Sequence, residues 1–276
     1  MSISDNVDVK LSSQALCTGD KSIQPIPETP PDLSYYDMTG KKYLIIFNHA
    51  KYRNTMYFQY KRPSERLGTV KDVVRLTKIF TDMGYEVFTY TDYKYADILD
   101  TVAKLSKTDH TSTSCICFAF LTHGEKGGVL FASDRPYLFK EMTTLLENGH
   151  PGLIGKPKIF FIQACRGGKI DDGKEIETDG TTSGSIVIPT QADFLIIYSS
   201  VEEYVAFRDR QGSFLIQELC DVIEEYHRHW DILHIATLMQ KRVAYYRTTY
   251  SPSNSMTHEK KQMPETRFSL TKLFKF

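Results

Sequence analysis

The sequence predicts an α/β fold in which a mostly parallel central sheet is covered by helices on both faces. Short apolar runs, typical of buried strands, alternate along the chain with segments whose apolar residues recur at helical spacing. Two of the runs, residues 115–121 and 159–162, contain no charged residue, which indicates strands buried on both faces of a sheet. Strands that alternate with helices pair in parallel, because each helix returns the chain to the same end of the sheet.

The individual elements follow from these patterns in chain order. The predicted strands cover residues 43–47, 85–90, 115–121, 159–162, 192–198 and 268–276, and a short segment around residues 129–132 is left unassigned. The predicted helices cover residues 69–83, 92–105, 139–147, 213–226 and 231–246. We expect Asp92 to cap the second helix at its N-terminus, and Gly84 and Asn148-Gly149 to end the first and third helices.

Composition and charge bound the class of protein. The chain has 276 residues, of which 41% are hydrophobic and 25% charged, so it can form one large globular domain or two small ones. Lys plus Arg and Asp plus Glu both number 34, so no net charge favours nucleic acid or a membrane surface. The apolar runs are far shorter than a membrane span, and no signal-peptide core is present near the N-terminus.

Cysteine usage indicates a reducing compartment, because five cysteines are few for this length and odd in number. Cys115 and Cys117 share one face of a strand, and core packing explains them better than a zinc site, since no second pair has ligand spacing. We therefore predict a soluble cytoplasmic protein without a metal or other cofactor.

Two segments lack the patterns of regular structure. Residues 1–36 are polar, with prolines at positions 25, 27, 30 and 31, and we predict a disordered leader. Residues 180–185, with the sequence GTTSGS, are small and polar and predict a flexible internal linker.

The two wholly apolar runs end in residues that carry chemistry. Residues 159–162 lead into Gln163-Ala164-Cys165-Arg166-Gly167, and residues 115–121 lead into Thr122-His123-Gly124. A lone cysteine after an apolar strand is more often a small buried side chain than a nucleophile. Here two parallel strands would deliver a cysteine and a histidine to the same sheet edge, where open α/β sheets bind their ligands.

This pattern resembles the signature of the caspases, in which Gln-Ala-Cys-Arg-Gly follows a histidine upstream. The resemblance extends from about residue 35 to residue 276, implies a single caspase-like domain, and with the short leader points to an executioner-type enzyme. It implies that Cys165 is the nucleophile and His123 the general acid and base. It also implies that the backbone N–H groups of Gly124 and Cys165 form the oxyanion hole.

The resemblance also implies a pocket for an aspartate side chain before the cleaved bond. Arg66, Gln163 and Arg208 match the family's carboxylate-binding residues, and two guanidiniums with an amide give multidentate recognition. A metacaspase, which prefers basic residues before the cut, is a competing interpretation that would need acidic groups in the pocket. Gln163 and the two arginines disfavour it.

The residues that would recognise substrate positions further upstream depart from the executioner pattern. That pattern is typically Tyr-Ser-Trp-Arg-Asn, whereas this chain has Val205-Ala206-Phe207-Arg208-Asp209. We expect Phe207 to keep an aromatic wall, Val205 to widen the pocket and Tyr250 to add apolar surface. Asp209 replaces an asparagine that donates to a substrate aspartate, so it predicts weaker selection for that aspartate. The alternative is that Asp209 points to solvent and changes nothing.

Maturation by proteolysis is a further implication of the resemblance. Asp179 precedes the flexible linker, so a cut there would separate a large subunit, residues 37–179, from a small subunit, residues 180–276. Asp171 and Asp172 are less favoured sites in the same region. In the leader, Asp8 is the favoured trimming site and Asp20 a weaker one, because Lys21 follows it.

The resemblance implies partners as well. These are protein substrates with aspartate before the scissile bond, an upstream initiator caspase and inhibitor-of-apoptosis proteins. It also implies a homodimer of large and small subunit pairs, joined through a strand in residues 266–276. Glu265 and Arg267 share one strand face, so antiparallel pairing could bring Glu265 of one chain near Arg267 of the other. The alternative function is a catalytically silent homologue that regulates an active caspase.

Overall fold

The strand-like runs of the sequence form one central sheet in the computed structural model, which describes residues 33–168, 192–209, 211–250, 256 and 258–276 together with the backbone of Asp8–Val9. In these residues the strands are β1 (Asp8–Val9), β2 (Lys41–Asn48), β3 (Glu86–Thr91), β4 (Thr113–Leu121), β5 (Gly124–Glu125), β6 (Val129–Phe131), β7 (Pro136–Leu138), β8 (Lys158–Gln163), β9 (Phe194–Tyr198), β10 (Arg208–Asp209), β11 (Gly212–Ser213), β12 (Thr249–Tyr250) and β13 (Glu265–Phe268).

The central sheet has the order β13-β9-β8-β4-β2-β3. All neighbouring pairs from β9 to β3 are parallel, and β13 is antiparallel to β9 at one edge. Strands β4 and β8 are buried along their whole length, as their apolar sequences predict. The predicted fold class, a mostly parallel α/β sheet, is confirmed.

Helices cover both faces of this sheet. They are α1 (Thr69–Asp82), α2 (Tyr95–Lys107), α3 (Phe139–Glu147), α4 (Phe214–Tyr226) and α5 (Ile232–Lys241), which continues as a π-helical turn over Arg242–Tyr246. Because strand side chains alternate between faces, the core divides into two layers. One contains α1, α4 and α5, and the other contains α2 and α3. Short 3₁₀ turns cover Met56–Phe58 and Pro151–Leu153.

Helix α1 ends where the sequence predicts, because Gly84 just after it adopts a left-handed φ of 79°. The predicted capping role of Asp92 is wrong, since α2 begins at Tyr95. Asp92 instead accepts the backbone N–H groups of Ala50 and Lys51, at 2.7 and 2.9 Å, and so holds the loop after β2. A carboxylate can satisfy either kind of backbone donor, and the tertiary contact prevails here.

Two predicted boundaries also change. The final strand is Glu265–Phe268 rather than residues 268–276, because the chain then turns back and buries Phe274 in the core. The folded part begins before residue 37, because Tyr36 is buried and its hydroxyl donates to Asp193 at 2.6 Å. Residues 1–7 and 10–32 of the leader, and the whole linker, lie outside the described residues. In the described part of the chain, no helix has the length and apolarity needed to cross a membrane.

Candidate active site

Adjacent parallel strands carry the predicted catalytic residues to one edge of the sheet. Leu121 at the end of β4 lies opposite Gln163 at the end of β8. The pairing continues one residue further, because the Thr122 N–H donates to the Gln163 carbonyl at 3.0 Å. His123 and Cys165 therefore leave neighbouring strands at nearly the same level, as the sequence predicts.

The two loops approach so closely that a side chain at Gly124 would not fit. A Cβ added there would lie 2.7 Å from the Cys165 carbonyl oxygen and 3.1 Å from the Ala164 Cβ. Glycine at this position thus brings the backbone after His123 directly against the backbone of Cys165. This placement is required if the loop after β4 and the loop after β8 both contribute backbone N–H groups to one oxyanion site.

His123 is held by a loop that the sequence did not associate with it. Its Nε2 lies 2.9 Å from the Ser64 carbonyl oxygen and 3.3 Å from the Ser64 hydroxyl. Since a carbonyl oxygen only accepts, this contact favours a proton on Nε2 and assigns Nδ1 as the basic nitrogen of the neutral ring. The Tyr52 ring packs against the imidazole in a tilted arrangement, with ring centroids 5.1 Å apart. Sequence patterns carry no signal for either contact, because the loop has no periodicity.

Cys165 lies under the segment that precedes Arg208. The Ala206 N–H approaches Sγ at 3.5 Å, and Sγ lies 3.8 Å from the Ala206 carbonyl oxygen. The residue after Cys165 is bound to the same segment through its backbone. The Arg166 N–H donates to the Tyr204 carbonyl at 3.1 Å, and the Arg166 carbonyl accepts the Glu203 N–H at 2.9 Å. In this conformation residues 203–206 therefore lie against the thiol and the chain that follows it.

A buried guanidinium lies beside this edge of the sheet. Arg66 is 2% exposed, and its Nη1 donates to the His49 carbonyl at 3.0 Å and to the Thr69 hydroxyl at 3.1 Å. Burial lowers the pKa of Arg66 from its usual value, and the charge of Arg208 lowers it further. The structure thus brings the two predicted arginines close enough to interact electrostatically.

Gln163 completes the predicted trio at the end of β8. It is 3% exposed, and among the described residues its buried Oε1 has no hydrogen-bond partner. Arg208 begins the β10–β11 hairpin, which packs on the Arg66 loop, since a Cβ on Gly68 would be 3.2 Å from the Asp209 carbonyl. The three predicted carboxylate-binding residues therefore come from separate elements: the two arginines interact electrostatically, and Gln163 ends the neighbouring strand β8.

Asp72 is a charged residue that sequence reasoning missed in this region. It is buried in α1, and its Oδ1 accepts the Ser213 N–H at 2.8 Å, which ties β11 to the helix. Burial raises the pKa of Asp72 to about 6, against the opposing charges of Arg66 and Arg208. The Asp72 carboxylate thus interacts electrostatically with both arginines and partly balances their positive charge.

Asp209 has a defined environment, and the alternative that its carboxylate points to solvent is wrong. Its side chain is only 6% exposed. Oδ1 accepts the Gln211 N–H at 2.6 Å and the Gln217 side-chain amide at 3.1 Å. Oδ2 lies 4.0 Å from Arg247, whose Nε donates to Glu218 at 2.7 Å.

The other predicted pocket residues differ in exposure. Phe207 is 7% exposed and packs near Phe214 in the core, with centroids 6.3 Å apart, so a role as a pocket wall would require the ring to move. Val205 packs partly against the same core. Tyr250 is half-buried in β12, where it lies opposite Asp8 of the leader. Asp179 and Asp20 lie outside the described residues.

A parallel sheet with a cysteine and a histidine at the ends of adjacent strands is the arrangement of a cysteine hydrolase. The family model "Caspase domain" matches residues 41–275. Caspase drICE of Drosophila melanogaster is 36% identical over 239 residues, which are 84% of this chain and 68% of that protein. Caspase-3 of Xenopus laevis is 38% identical over 226 residues, 81% of this chain and 78% of that protein.

A solved structure agrees with these sequence relatives. The crystal structure of Caspase-1 from Spodoptera frugiperda matches with a TM-score of 0.77 and 32% identity, covering 91% of this chain and 97% of that one. The chain belongs to the caspase family. It is an aspartate-specific cysteine endopeptidase of the apoptotic, executioner type.

Proposed function

We propose that Cys165 and His123 carry out peptide-bond cleavage at the shared edge of β4 and β8. The observation that carries this assignment is the packing of Gly124 against the Cys165 backbone, with His123 Nε2 directed at the Ser64 carbonyl. Nδ1 of His123 is then the ring nitrogen that takes up and gives the proton in the reaction. The Cys165 thiolate attacks the scissile carbonyl carbon, and His123 gives its proton to the leaving amine. Water, deprotonated by His123, hydrolyses the resulting thioester.

The backbone N–H groups of Gly124 and Cys165 would stabilise the oxyanion formed in both steps. Fixed donors of this kind contribute strongly, because they need no rearrangement as charge develops. A side chain at position 124 would push the two loops apart. Glycine at this position is therefore required for the close approach of the two loops on which the proposed oxyanion site depends.

We assign aspartate recognition before the cut to Arg66, Gln163 and Arg208. Two buried or half-buried guanidiniums form a strongly positive site that attracts a carboxylate. The buried Asp72 limits their mutual repulsion in the empty site. Val205, Phe207, Asp209 and Tyr250 are proposed to contact residues further upstream in the substrate.

Activation is proposed to follow a cut after Asp179, which separates the large-subunit region, residues 37–179 with the leader before it, from the small subunit, residues 180–276. The contact of Ala206 with the Cys165 thiol supports a covered cleft in the intact chain, because residues 203–206 occupy the space beside the nucleophile. Cleavage would free the segment after residue 168 and let residues 203–206 withdraw. Trimming of the leader after Asp8 or, less readily, Asp20 completes maturation.

The mature enzyme is proposed to be a cytoplasmic homodimer of these subunit pairs. Among the described residues, edge strand β13 pairs with β9 alone, which supports pairing of its other side with a second copy. An initiator caspase as activator and inhibitor-of-apoptosis proteins as regulators remain proposals that follow from the family.

One experiment tests the site as a whole. The processed protein is incubated with a peptide reporter carrying aspartate before the cut, and Cys165→Ala and His123→Ala are measured beside it. We expect turnover by the parent and none above background by either variant. Appreciable turnover by Cys165→Ala would contradict the assignment, and an inactive but processed parent would favour the silent homologue. Mass spectrometry should find a new N-terminus at Gly180 in the processed protein.

A further inference from the structure

His123 is held at its backbone as well as at its ring. The His123 N–H donates to the Tyr52 hydroxyl oxygen at 3.0 Å, and the His123 carbonyl accepts the Phe131 N–H at 2.9 Å. The position of the imidazole along β4 is thus set from both sides of the residue. One side depends on a backbone group of β6, and the other depends on a single side chain.

The hydroxyl of Tyr52 belongs to a continuous chain of hydrogen bonds. It lies 2.9 Å from the Thr122 hydroxyl, which donates to the Phe131 carbonyl at 2.5 Å. Because the Thr122 proton is used in that bond, the Tyr52 proton must go to the Thr122 oxygen, which leaves the Tyr52 oxygen to accept from His123. The bonds form a ring, since Phe131 also donates to His123.

Burial protects this ring of hydrogen bonds from solvent and from deprotonation of the Tyr52 hydroxyl. Tyr52 is 5% exposed, and burial raises the pKa of its hydroxyl above the ordinary value, so the hydroxyl stays protonated. The Tyr52 side chain also packs edge-on to Phe58 and Phe131, with centroids 6.3 and 6.5 Å apart. These contacts leave the tyrosine little freedom to adopt another rotamer.

We propose that the Tyr52 hydroxyl is a positioning group for the catalytic histidine: by accepting the His123 backbone N–H, it sets the imidazole in register with Cys165. Its ring also lies against the imidazole, with centroids 5.1 Å apart, and so restricts the movement of the His123 side chain. The proposal rests on the proposed role of His123. It assigns a function to Tyr52 in the loop after β2, a residue without contact to the scissile bond.

The test is Tyr52→Phe, which keeps the ring and removes only the acceptor. Tyr137→Phe is the matched control, because Tyr137 is as deeply buried, lies on β7 next to β6, and has no hydrogen-bond partner for its hydroxyl among the described residues. Both processed enzymes are measured with the aspartyl reporter, and kcat is expressed per active site titrated with a covalent thiol inhibitor. This normalisation removes any difference in the folded fraction.

For Tyr52→Phe we expect kcat to fall roughly fivefold to tenfold, the loss of one buried hydrogen bond, with KM within about twofold. Tyr137→Phe should keep both constants. Thr122→Val breaks the same chain one bond further on. In the double variant, the fall in kcat should therefore be about that of Tyr52→Phe alone. If the two residues acted independently, their two fold-decreases in kcat would multiply.

An unchanged kcat in Tyr52→Phe, an equal fall in Tyr137→Phe, or multiplying losses in the double variant would each overturn the proposal. A change confined to KM would do so too, because it would place Tyr52 in substrate binding. Failure of the underlying assignment has a different signature. If His123→Ala retains turnover, the proposed site is wrong. If His123→Ala is inert while Tyr52→Phe is fully active, only the positioning role is wrong.

Discussion

The guanidinium of Arg166, directly after Cys165, is ion-paired with the carboxylate of Glu265 on edge strand β13. The same guanidinium lies 2.8 Å from Glu202 and 4.1 Å from the centre of the Tyr198 ring. Its side chain is only 6% exposed, so these partners offset the cost of burying its charge. The active-site loop is therefore joined electrostatically to the strand proposed to form the dimer.

We predict that Glu265→Arg weakens dimerisation and lowers activity. The new guanidinium would face Arg166 and also Arg267, which now donates to Glu265 at 2.9 Å within the same strand. Like charges at this separation repel, and Arg166 would lose a buried partner. We expect sedimentation of the processed variant to show a dimer dissociation constant raised at least tenfold.

Glu86→Arg, which makes the same charge change in β3 at the opposite edge of the sheet, is the control and should sediment as the parent does. An unchanged profile for Glu265→Arg would contradict both the interface and the coupling of Arg166 to it.

We predict that Asp72→Asn alters the pH dependence of stability. The folded-state pKa of Asp72, about 6, lies above its usual value of 3.8, so the folded protein binds this proton more tightly. The stability contributed by protonated Asp72 is full below about pH 4 and is lost as pH rises to 6. Relative to Asp72→Asn, the parent should lose up to about 2–3 kcal/mol across this range.

Urea unfolding of both proteins at several values between pH 4.5 and 7 measures this difference. Parallel curves, with a constant offset between parent and variant, would show that Asp72 does not titrate in this range.

Tyr36→Phe should destabilise the fold by about 1–2 kcal/mol, because it removes the 2.6 Å hydrogen bond to the buried carboxylate of Asp193. Asp193 would retain Thr271, whose hydroxyl donates to it at 2.6 Å. Urea denaturation measures the loss, and Tyr137→Phe, which breaks no hydrogen bond to any described residue, should cost far less. Equal effects of the two variants would mean that the bond is not what stabilises this end of the sheet.

Asp209 should weaken selection for aspartate three residues upstream of the cleaved aspartate. Its buried carboxylate already accepts from Gln217, so it repels a second carboxylate rather than donating to it. Two reporters that differ only at that position, aspartate against valine, should show a ratio of kcat/KM near one in the parent. Asp209→Asn should raise the ratio about threefold to tenfold in favour of aspartate. A strong aspartate preference in the parent would contradict this interpretation.

Local sequence patterns predicted the scaffold correctly, and also the placement of Cys165 and His123 at one edge of the sheet. Residues 115–121 and 159–162 contain no polar side chain, and only strands buried on both faces accommodate such runs, so β4 and β8 followed from composition. Their neighbouring pairing then placed His123 and Cys165 together. Helices α1 and α3 likewise followed from apolar spacing and their terminal residues.

Predictions were wrong where two local solutions were nearly equal in energy. Asp92 could cap a helix or bind the loop after β2, and only the folded position of that loop decided between them. The alternation in residues 268–276 suits a strand, yet burying Phe274 in the core removes more apolar surface from water. The spacing of apolar and polar residues cannot distinguish these alternatives, because each alternative is compatible with the same local pattern.

The sequence by itself determined that a cysteine and a histidine follow two fully buried strands, because that information is local and the sheet accepts few alternatives. Only the tertiary structure decided what surrounds them: Ser64 and Tyr52 on His123, and Asp72 behind the arginines. These partners come from a loop without periodicity and from the buried side of a helix. Their contacts depend on how separate elements pack, and hydrogen bonds between distant residues leave no pattern in the chain.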